Sequence, residues 1–235
     1  MRVTHHLELR TATDDDLGPL VKLASNAFLK DAEEGYEEYI RPIWEPDRTH
    51  VMTDGERLVG TAGVLTRDMT VPGAVVPTAH VTAVSVASTH RRRGILRRLM
   101  AAQLADVRDR GEPIAALWAS EGAIYGRFGY GLASWHAAYT ISRLEMTVPG
   151  EPAGSLWQEE PRDVTSELAA VYERVRRDRP GLSDRPGPWW EHLTADPRWD
   201  RGGRSSLRAV LYRVDDRGDG YALWRVKGGW SDTGP

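Results

Sequence analysis

Hydrophobic residues recur at helical spacing in some stretches of the chain and alternate with polar residues in others. Leu17, Leu20, Val21, Ala24 and Phe28 recur at helical spacing behind an acidic cluster that is typical of a helix start. Further helices are predicted over 33–40, 92–110, 122–128, 164–177 and 189–193. Strands are predicted over 7–10, 50–53, 58–70, 75–87, 114–119, 135–143, 207–214 and 220–226.

Turn signals divide this pattern into larger parts. Asp54-Gly55 and Pro72-Gly73 separate three strands, which predicts an antiparallel meander, and Asp215-Asp-Arg-Gly-Asp predicts a turn before the last strand. Residues 149–154 are rich in Pro, Gly and Glu and are typical of a linker. We therefore predict two domains, over 1–145 and 155–235, of which the second is expected to be truncated because a single strand pair follows its helices.

Composition narrows the functional classes. The chain has 235 residues, with 31 Lys and Arg against 34 Asp and Glu, and the net charge of −3 argues against broad nucleic-acid binding. The absence of cysteine excludes disulfides, thiolate metal sites and a Cys nucleophile. No apolar run approaches the roughly 20 residues that span a bilayer, and the polar N-terminus is not a signal peptide. We expect a cytoplasmic protein with no metal, membrane or nucleic-acid partner.

The most informative stretch is a junction between a predicted strand and a predicted helix. A β-rich segment ending near Val86 runs into a polar loop, then Arg91, Arg92 and Arg93, then Gly94 and a long helix. The unpaired N–H groups of a helix start attract phosphate, Arg side chains add charge, and Gly allows close approach of the backbone. The junction indicates either a phosphate-bearing cofactor or an Arg run that is solvated at the helix start, with no preference between the two.

Several motifs resemble one family. Thr89-His-Arg-Arg-Arg-Gly-Ile-Leu-Arg resembles the pyrophosphate-binding loop of the GCN5-related N-acetyltransferase (GNAT) superfamily, although Leu96 stands where Gly or Ala is common. Its Eis-like branch, the enhanced intracellular survival proteins, usually has Leu there. Three further segments are similar to that branch: Ala119-Ser-Glu-Gly-Ala-Ile-Tyr-Gly-Arg-Phe-Gly-Tyr-Gly, Tyr172-Glu-Arg-Val-Arg-Arg and Gly220-Tyr-Ala-Leu-Trp-Arg-Val. The resemblance covers nearly the whole chain.

The resemblance implies an α/β fold with a mixed sheet, in which a complete N-terminal GNAT domain is followed by a partial second one. It implies acetyl-CoA as the co-substrate and a homo-oligomer, a hexamer. Main-chain groups of the strand would bind the pantetheine arm like an added strand, and those of the loop would hold the pyrophosphate. The implied cofactor contacts are Val84, Ser85, Val86, Arg91, Arg92, Arg93, Gly94, Ile95, Leu96, Arg97, Ser120 and Glu121.

Tyr125 is the candidate general acid. Acyl transfer to an amine requires that the leaving thiolate be protonated, and a phenol with a pKa of about 10 is a proton donor at neutral pH. The matching Tyr has this role in the resembling family. The alternative is that Tyr125 packs at a helix–strand junction, as we expect of Phe128 and Tyr130.

The general base stays open. The resembling family uses its own C-terminal carboxylate, supplied by a third domain, and we expect this chain to be a fragment of a longer protein or a divergent short form. Pro235 is therefore not assigned as the base. His80, His90 and His136 are alternatives, although each suits a structural or surface position better.

The acceptor side is expected in the helical segments before the first long strand. Carboxylates and aromatics there, chiefly Phe28, Glu33 and Glu34, suit a small polycationic amine such as a polyamine or an aminoglycoside. The alternative is a solvated acidic helix face. Direct attack by the amine is favoured because the chain has no Cys to carry an acyl group.

Three hypotheses follow from these features. The first is an N-acetyltransferase that moves an acetyl group from acetyl-CoA to a primary amine. The second is a non-catalytic acyl-CoA-binding or assembly domain, which would keep the arginine loop without the base. The third, a nucleotide-binding regulator, is disfavoured because Gly-x-x-x-x-Gly-Lys-Ser/Thr is absent.

Overall fold

The computed structural model describes residues 6–142, 147, 150 and 153–228. They form two compact units. The first comprises Met1–Ser120 and Arg176–Ala195, and the second comprises Glu121–Val175 and Asp196–Pro235. The first unit thus takes in a segment from far along the chain. The predicted division into domains 1–145 and 155–235 stays a prediction.

The described residues form both strands and helices. The strands are β1 (Leu7–Thr11), β2 (Thr49–Asp54), β3 (Arg57–Val71), β4 (Ala74–Val86), β5 (Ile114–Leu117), β6 (Ser155–Glu159), β7 (Arg208–Val214) and β8 (Arg217–Trp224). The helices are α1 (Leu17–Ala27), α2 (Tyr36–Ile40), α3 (Ile95–Asp109), α4 (Gly122–Tyr125), α5 (Thr165–Arg177) and α6 (Gly187–Thr194).

The first unit is built on a five-stranded sheet in the order β1-β2-β3-β4-β5. The first four strands are antiparallel neighbours, and β5 runs parallel to β4. The predicted meander and the predicted mixed sheet are therefore confirmed. The parallel pairing follows from the connection, because α3 carries the chain back along the sheet before β5 begins.

Helix α3 packs closely on one face of this sheet. Ile95 and Leu99 are buried in a cluster with Met52 and Val59. Gly60 permits this approach, because a Cβ atom added there would lie 2.7 Å from the Ile95 Cγ2 atom. The amphipathic spacing of the helix thus fixes where α3 begins relative to the strands.

The segment Arg176–Ala195, which lies in the chain between the two parts of the second unit, completes the first unit. Gly181 donates its N–H to the Thr70 carbonyl at 2.7 Å, and Thr70 donates to the Leu182 carbonyl at 2.9 Å. Asp184 then accepts from the Arg67 side chain at 3.0 Å. The segment extends the sheet along the part of β3 beyond its pairing with β2. Sequence patterns contained no signal for this pairing.

The second unit contains a three-stranded antiparallel sheet in the order β6-β7-β8. The turn between β7 and β8 consists of Asp215 and Asp216, both with positive φ (49° and 58°). The predicted five-residue turn is therefore too long, because Arg217 already pairs with Val214. Two left-handed residues suit the twist of a two-residue hairpin.

Other boundaries were also predicted wrongly. The predicted strand over 135–143 is wrong over 135–142, which have no regular secondary structure; Arg143 lies outside the described residues. Trp135 and Tyr139 are 88% and 84% exposed. Alternating polar and apolar residues give a segment two different faces, but a strand also needs a neighbouring strand to which its backbone groups can hydrogen-bond. Strand β6 falls next to the predicted linker, which lies partly outside the described residues.

Two predicted helices begin later than expected. The helix predicted over 33–40 begins at Tyr36, behind Gly35 with φ of 80°. The helix predicted over 92–110 begins at Ile95, because Gly94 has φ of 78°. A residue with a left-handed backbone cannot be part of a right-handed helix, so each helix begins after its glycine. Across the described ranges, no helix is both long and apolar enough to cross a membrane.

Candidate functional site

Strand β4 extends beyond its pairing with β5 at one end of the first sheet. The pairing between them covers Thr78 to Val81 on β4 and Ile114 to Leu117 on β5. Strand β4 continues to Val86 and stays paired with β3 on its other side. Among the described residues, the predicted site positions Val84, Ser85 and Val86 therefore have no strand partner on the β5 side. This leaves an edge to which an extended ligand can add main-chain hydrogen bonds.

A β-bulge shapes that edge. Thr61 lies opposite Ser85 and Gly63 lies opposite Thr82, so β4 has one residue more than β3 in between. Ala83 in the bulge has φ of 49°. Bulges bend a strand and increase its local twist. The bulge therefore directly follows the place where the pairing of β4 with β5 ends. No sequence signal identified it, since Ala is not a residue that favours a left-handed backbone.

The turn from β4 to α3 has an unusual backbone. Arg91 is extended (φ −62°, ψ 156°), Arg92 is left-handed with φ of 62°, and Gly94 is left-handed with φ of 78°. Changes of backbone hand along a turn direct successive N–H groups toward a common side and create anion-binding concavities. A Cβ atom added at Gly94 would lie 3.6 Å from Arg97 Nη2.

The first turn of α3 presents unpaired donors. The first bond inside the helix runs from the Arg98 N–H to the Gly94 carbonyl, at 3.1 Å. The N–H groups of Ile95, Leu96 and Arg97 therefore have no partner within the helix. Burial of the Ile95 side chain holds this turn against the sheet. The predicted pyrophosphate loop thus combines oriented donors with a rigid support.

Positive charge is concentrated around these donors. Residues 88–98 contain five Arg and no acidic residue. Arg93 donates to the Thr89 carbonyl at 3.1 Å. Arg91 and Arg92 are exposed and make no ion pair to any residue that the structure describes. Arginines without protein partners are available for bidentate contacts to a phosphate.

His90 ties this loop to the neighbouring hairpin. The His90 Nε2 atom lies 3.2 Å from Asp54 Oδ2, and its Nδ1 atom lies 2.8 Å from Thr89 Oγ1. His90 is 7% exposed. A buried imidazole engaged at both nitrogens supports the structural position expected for it. The Asp54 partner could not be identified from the sequence because it lies 36 residues away.

Ser120 ends the first unit as an exposed residue after β5, whereas Glu121 and Tyr125 belong to the second unit. Tyr125 is the last residue of α4. Burial, followed by the negative charge of Glu121, raises the pKa of the Tyr125 phenol above its ordinary value. The Tyr125 hydroxyl is therefore a protonated donor at neutral pH.

The predicted acceptor residues are all exposed. Phe28, just after α1, is 47% exposed. Glu33 and Glu34 lie on the exposed segment between α1 and α2, outside the helix that was predicted for them. An exposed acidic segment fits both the acceptor hypothesis and a solvated face. Their role stays a prediction.

His80 and His136, the candidate bases besides His90, differ in their surroundings. His80 lies on β4, where its Nε2 atom is 2.9 Å from Ser183 Oγ. Burial and the positive charge of Arg67 lower the pKa of His80 to about 4. His136 is exposed in the second unit. Among the described residues, no group of three or more His, Asp or Glu is arranged to hold a metal ion.

These features together are suited to an anionic ligand. The edge of β4 offers main-chain groups, and the α3 turn offers N–H donors surrounded by arginine. A ligand that combines an amide-bearing arm with a pyrophosphate matches both parts.

Comparisons with known proteins agree with this geometry. The Acetyltransferase (GNAT) domain family matches residues 8–133, and a second Acetyltransferase (GNAT) domain family matches residues 181–235. An uncharacterised N-acetyltransferase of Streptomyces avermitilis is 41% identical over 233 residues, which are 97% of this chain and 57% of that protein. N-acetyltransferase Eis of Mycobacterium bovis is 38% identical over 229 residues, 93% of this chain and 56% of that protein.

Solved structures are similar to this chain as well. The crystal structure of Eis1 from Mycobacterium abscessus has a TM-score of 0.77 and 30% identity, over 94% of this chain and 53% of that one. The chain thus spans about half the length of the relatives it matches. The predicted fold class and the resemblance to Eis are confirmed. The Acetyltransferase (GNAT) domain family matched over residues 8–133 covers more than half of the chain. The chain therefore belongs to the GNAT acetyltransferase family.

Proposed function

We propose that this protein transfers an acetyl group from acetyl-CoA to a primary amine of a small acceptor. The observation that carries the proposal is the β4–α3 junction. There, a strand edge without a strand partner among the described residues leads into N–H donors that have no partner within the helix and into exposed arginines. Acetyl-CoA has a pantetheine arm with amide groups and a pyrophosphate, which suit these two parts in turn. Val84, Ser85 and Val86 would bind the arm, and Arg91 to Arg97 would hold the phosphates.

The chemistry that we propose is direct attack. The neutral amine attacks the thioester carbon, a carbon–nitrogen bond forms and the nitrogen releases one proton to solvent. The carbon–sulfur bond breaks, and Tyr125 protonates the leaving thiolate and then takes a proton back from solvent. The raised pKa of Tyr125 supports a role as acid, because the hydroxyl is protonated at neutral pH. The absence of cysteine disfavours a route through an acyl-enzyme thioester.

The first test is cofactor binding. Replacing Arg92 and Arg93 together by Glu turns attraction for the pyrophosphate into repulsion, and affinity for acetyl-CoA should fall on the order of a hundredfold. Isothermal titration calorimetry measures this. The matched control is Lys22→Glu with Arg108→Glu, which changes the net charge equally at exposed positions on α1 and at the end of α3. Equal affinity in both folded double variants would refute the site.

The second test separates catalysis from binding. Thiol release is measured with acetyl-CoA and a panel of polyamines, aminoglycosides and simple primary amines. We expect amine-dependent release of free CoA. Tight acetyl-CoA binding without release for any amine would instead favour a non-catalytic acyl-CoA-binding domain.

We also propose a polycationic amine as the acceptor and a homo-oligomeric assembly. The exposed carboxylates of Glu33 and Glu34 and the exposed ring of Phe28 support the first proposal. Glu33→Gln with Glu34→Gln should raise KM for a polyamine and leave KM for a monoamine unchanged. Analytical ultracentrifugation of the full-length protein tests whether it is hexameric, as the resemblance implies.

A further inference from the structure

Tyr130 packs directly against Tyr125. The two ring centroids are 5.8 Å apart with an interplanar angle of 72°, an edge-to-face arrangement. The Tyr130 N–H also donates to the Tyr125 carbonyl, at 3.3 Å. The chain returns to Tyr125 through Gly129, whose φ is 91°. Tyr125 is thus held by both the main chain and the ring of Tyr130.

The Tyr130 hydroxyl is not explained by packing. Its oxygen is buried and has no hydrogen-bond partner among the residues that the structure describes. A buried polar group without a partner costs free energy, whereas phenylalanine would fill the same space without that cost. A hydroxyl retained at such a position points to a partner that forms during function.

Ionisation of Tyr125 affects the pKa of Tyr130. Burial, followed by the charge of Tyr125, raises the pKa of Tyr130 to about 12. Tyr130 therefore remains protonated when Tyr125 loses its proton, and the two groups are close enough to respond to each other.

We infer that Tyr130 is a positioning residue for Tyr125: its ring orients the phenol, and its hydroxyl donates a hydrogen bond to the phenolate that Tyr125 becomes. This inference rests on the proposed function. In the step concerned, the Tyr125 O–H bond breaks and the S–H bond of CoA forms. The negative charge moves from sulfur to the Tyr125 oxygen, until that oxygen takes a proton from solvent.

The test uses Tyr130→Phe, which keeps the ring and removes the hydroxyl. Loss of a hydrogen bond to a charged oxygen should lower the single-turnover rate about tenfold. KM for acetyl-CoA should stay constant, and the melting temperature should stay constant or rise, because an unpaired buried hydroxyl is lost. A merely structural tyrosine cannot produce a lower rate together with an undiminished melting temperature.

Two further variants complete the experiment. Tyr139→Phe makes the same chemical change at an 84% exposed position and should retain the wild-type rate. Combining Tyr130→Phe with Tyr125→Phe should be no slower than Tyr125→Phe alone, since Tyr130 acts through Tyr125.

Different results overturn different claims. If the wild-type protein releases no thiol with any amine, the proposed function fails. If it is active but Tyr130→Phe turns over at the wild-type rate, or slows the Tyr125→Phe protein further, the role of Tyr130 is refuted and the proposed function is unaffected.

Discussion

Two left-handed residues shape the turn between β4 and α3, and one of them is not glycine. Gly94 adopts φ of 78° without strain, whereas Arg92 adopts φ of 62° with a full side chain. A left-handed backbone costs a residue with a Cβ atom roughly 1–2 kcal/mol. Non-glycine residues in strained conformations cluster at functional sites. An Arg in this strained conformation fits a side chain needed for anion binding.

Arg92→Gly tests this trade between stability and binding. Relief of strain, offset by the greater flexibility of glycine in the unfolded chain, should leave the free energy of unfolding unchanged or raise it by about 1 kcal/mol. Acetyl-CoA affinity should nevertheless fall, because a cationic side chain is lost. Arg91→Gly is the control: Arg91 is extended, so the same change should lower stability by about 0.5–1 kcal/mol. Urea unfolding and calorimetry distinguish the two variants.

Tyr125→Phe tests the general acid. The hydroxyl matters when charge develops on sulfur, so kcat should fall by about 10²–10⁴-fold while acetyl-CoA affinity is retained. Single-turnover kinetics exclude masking by slow product release. A folded variant with the wild-type single-turnover rate would remove Tyr125 from the mechanism.

At the scale of elements, the site depends on how closely α3 packs on the sheet. Ile95 and Leu99 bury the helix start beside Gly60, so the donors of the first turn are fixed relative to β4. A displacement of this helix would move the donors while leaving every arginine in place. Element packing and cofactor affinity should therefore change together.

Gly60→Ala tests the close approach. The new Cβ atom would lie 2.7 Å from Ile95 Cγ2 and 3.0 Å from Leu99 Cδ1, so α3 must shift. Overpacking of this kind costs about 1–3 kcal/mol in the free energy of unfolding, and acetyl-CoA affinity should fall too. Gly187→Ala in α6 is the control, since no atom lies within 4 Å of the added Cβ. Both variants are compared by thermal unfolding; an equally stable Gly60→Ala protein would contradict the packing argument.

At the scale of the whole molecule, buried titrating groups link stability to pH. Burial and Arg67 lower the pKa of His80 to about 4, although Asp184 opposes the shift. Hydrogen bonds from Arg10 lower the pKa of Asp16 to about 2. In both cases the unfolded chain binds protons at a higher pH than the folded one.

Stability should therefore be lost in two steps on acidification. His80 contributes fully above pH 6.5, and its contribution declines as pH falls from 6.5 to about 4. The contribution of Asp16 is present above pH 3.8 and declines toward pH 2. His80→Gln should flatten the first step and leave the second, whereas Asp16→Asn should do the reverse. Urea unfolding across this pH range measures both, and identical curves for wild type and His80→Gln would rule out the first assignment.

The sequence by itself determined the local pattern and predicted the chemistry of the site. Segments rich in Val and Thr identified β2 to β4, helical spacing identified α3, and Arg91 to Gly94 predicted an anion site. The strand and helix predictions succeeded because periodicity acts within one element. The anion site stays a prediction. The motifs around Arg92 and Tyr125 also carried the family resemblance.

Only the tertiary structure decided which strands stay paired and which segments join distant elements. The end of the β4–β5 pairing, the bulge at Ala83, and the pairing of Gly181 with Thr70 all depend on backbone contacts between residues far apart in the chain. The same cause explains why the predicted strand is wrong over 135–142, because an alternating segment also needs a neighbouring strand. Local spacing encodes the face that an element buries, whereas hydrogen-bond partners are chosen among all segments when the chain packs.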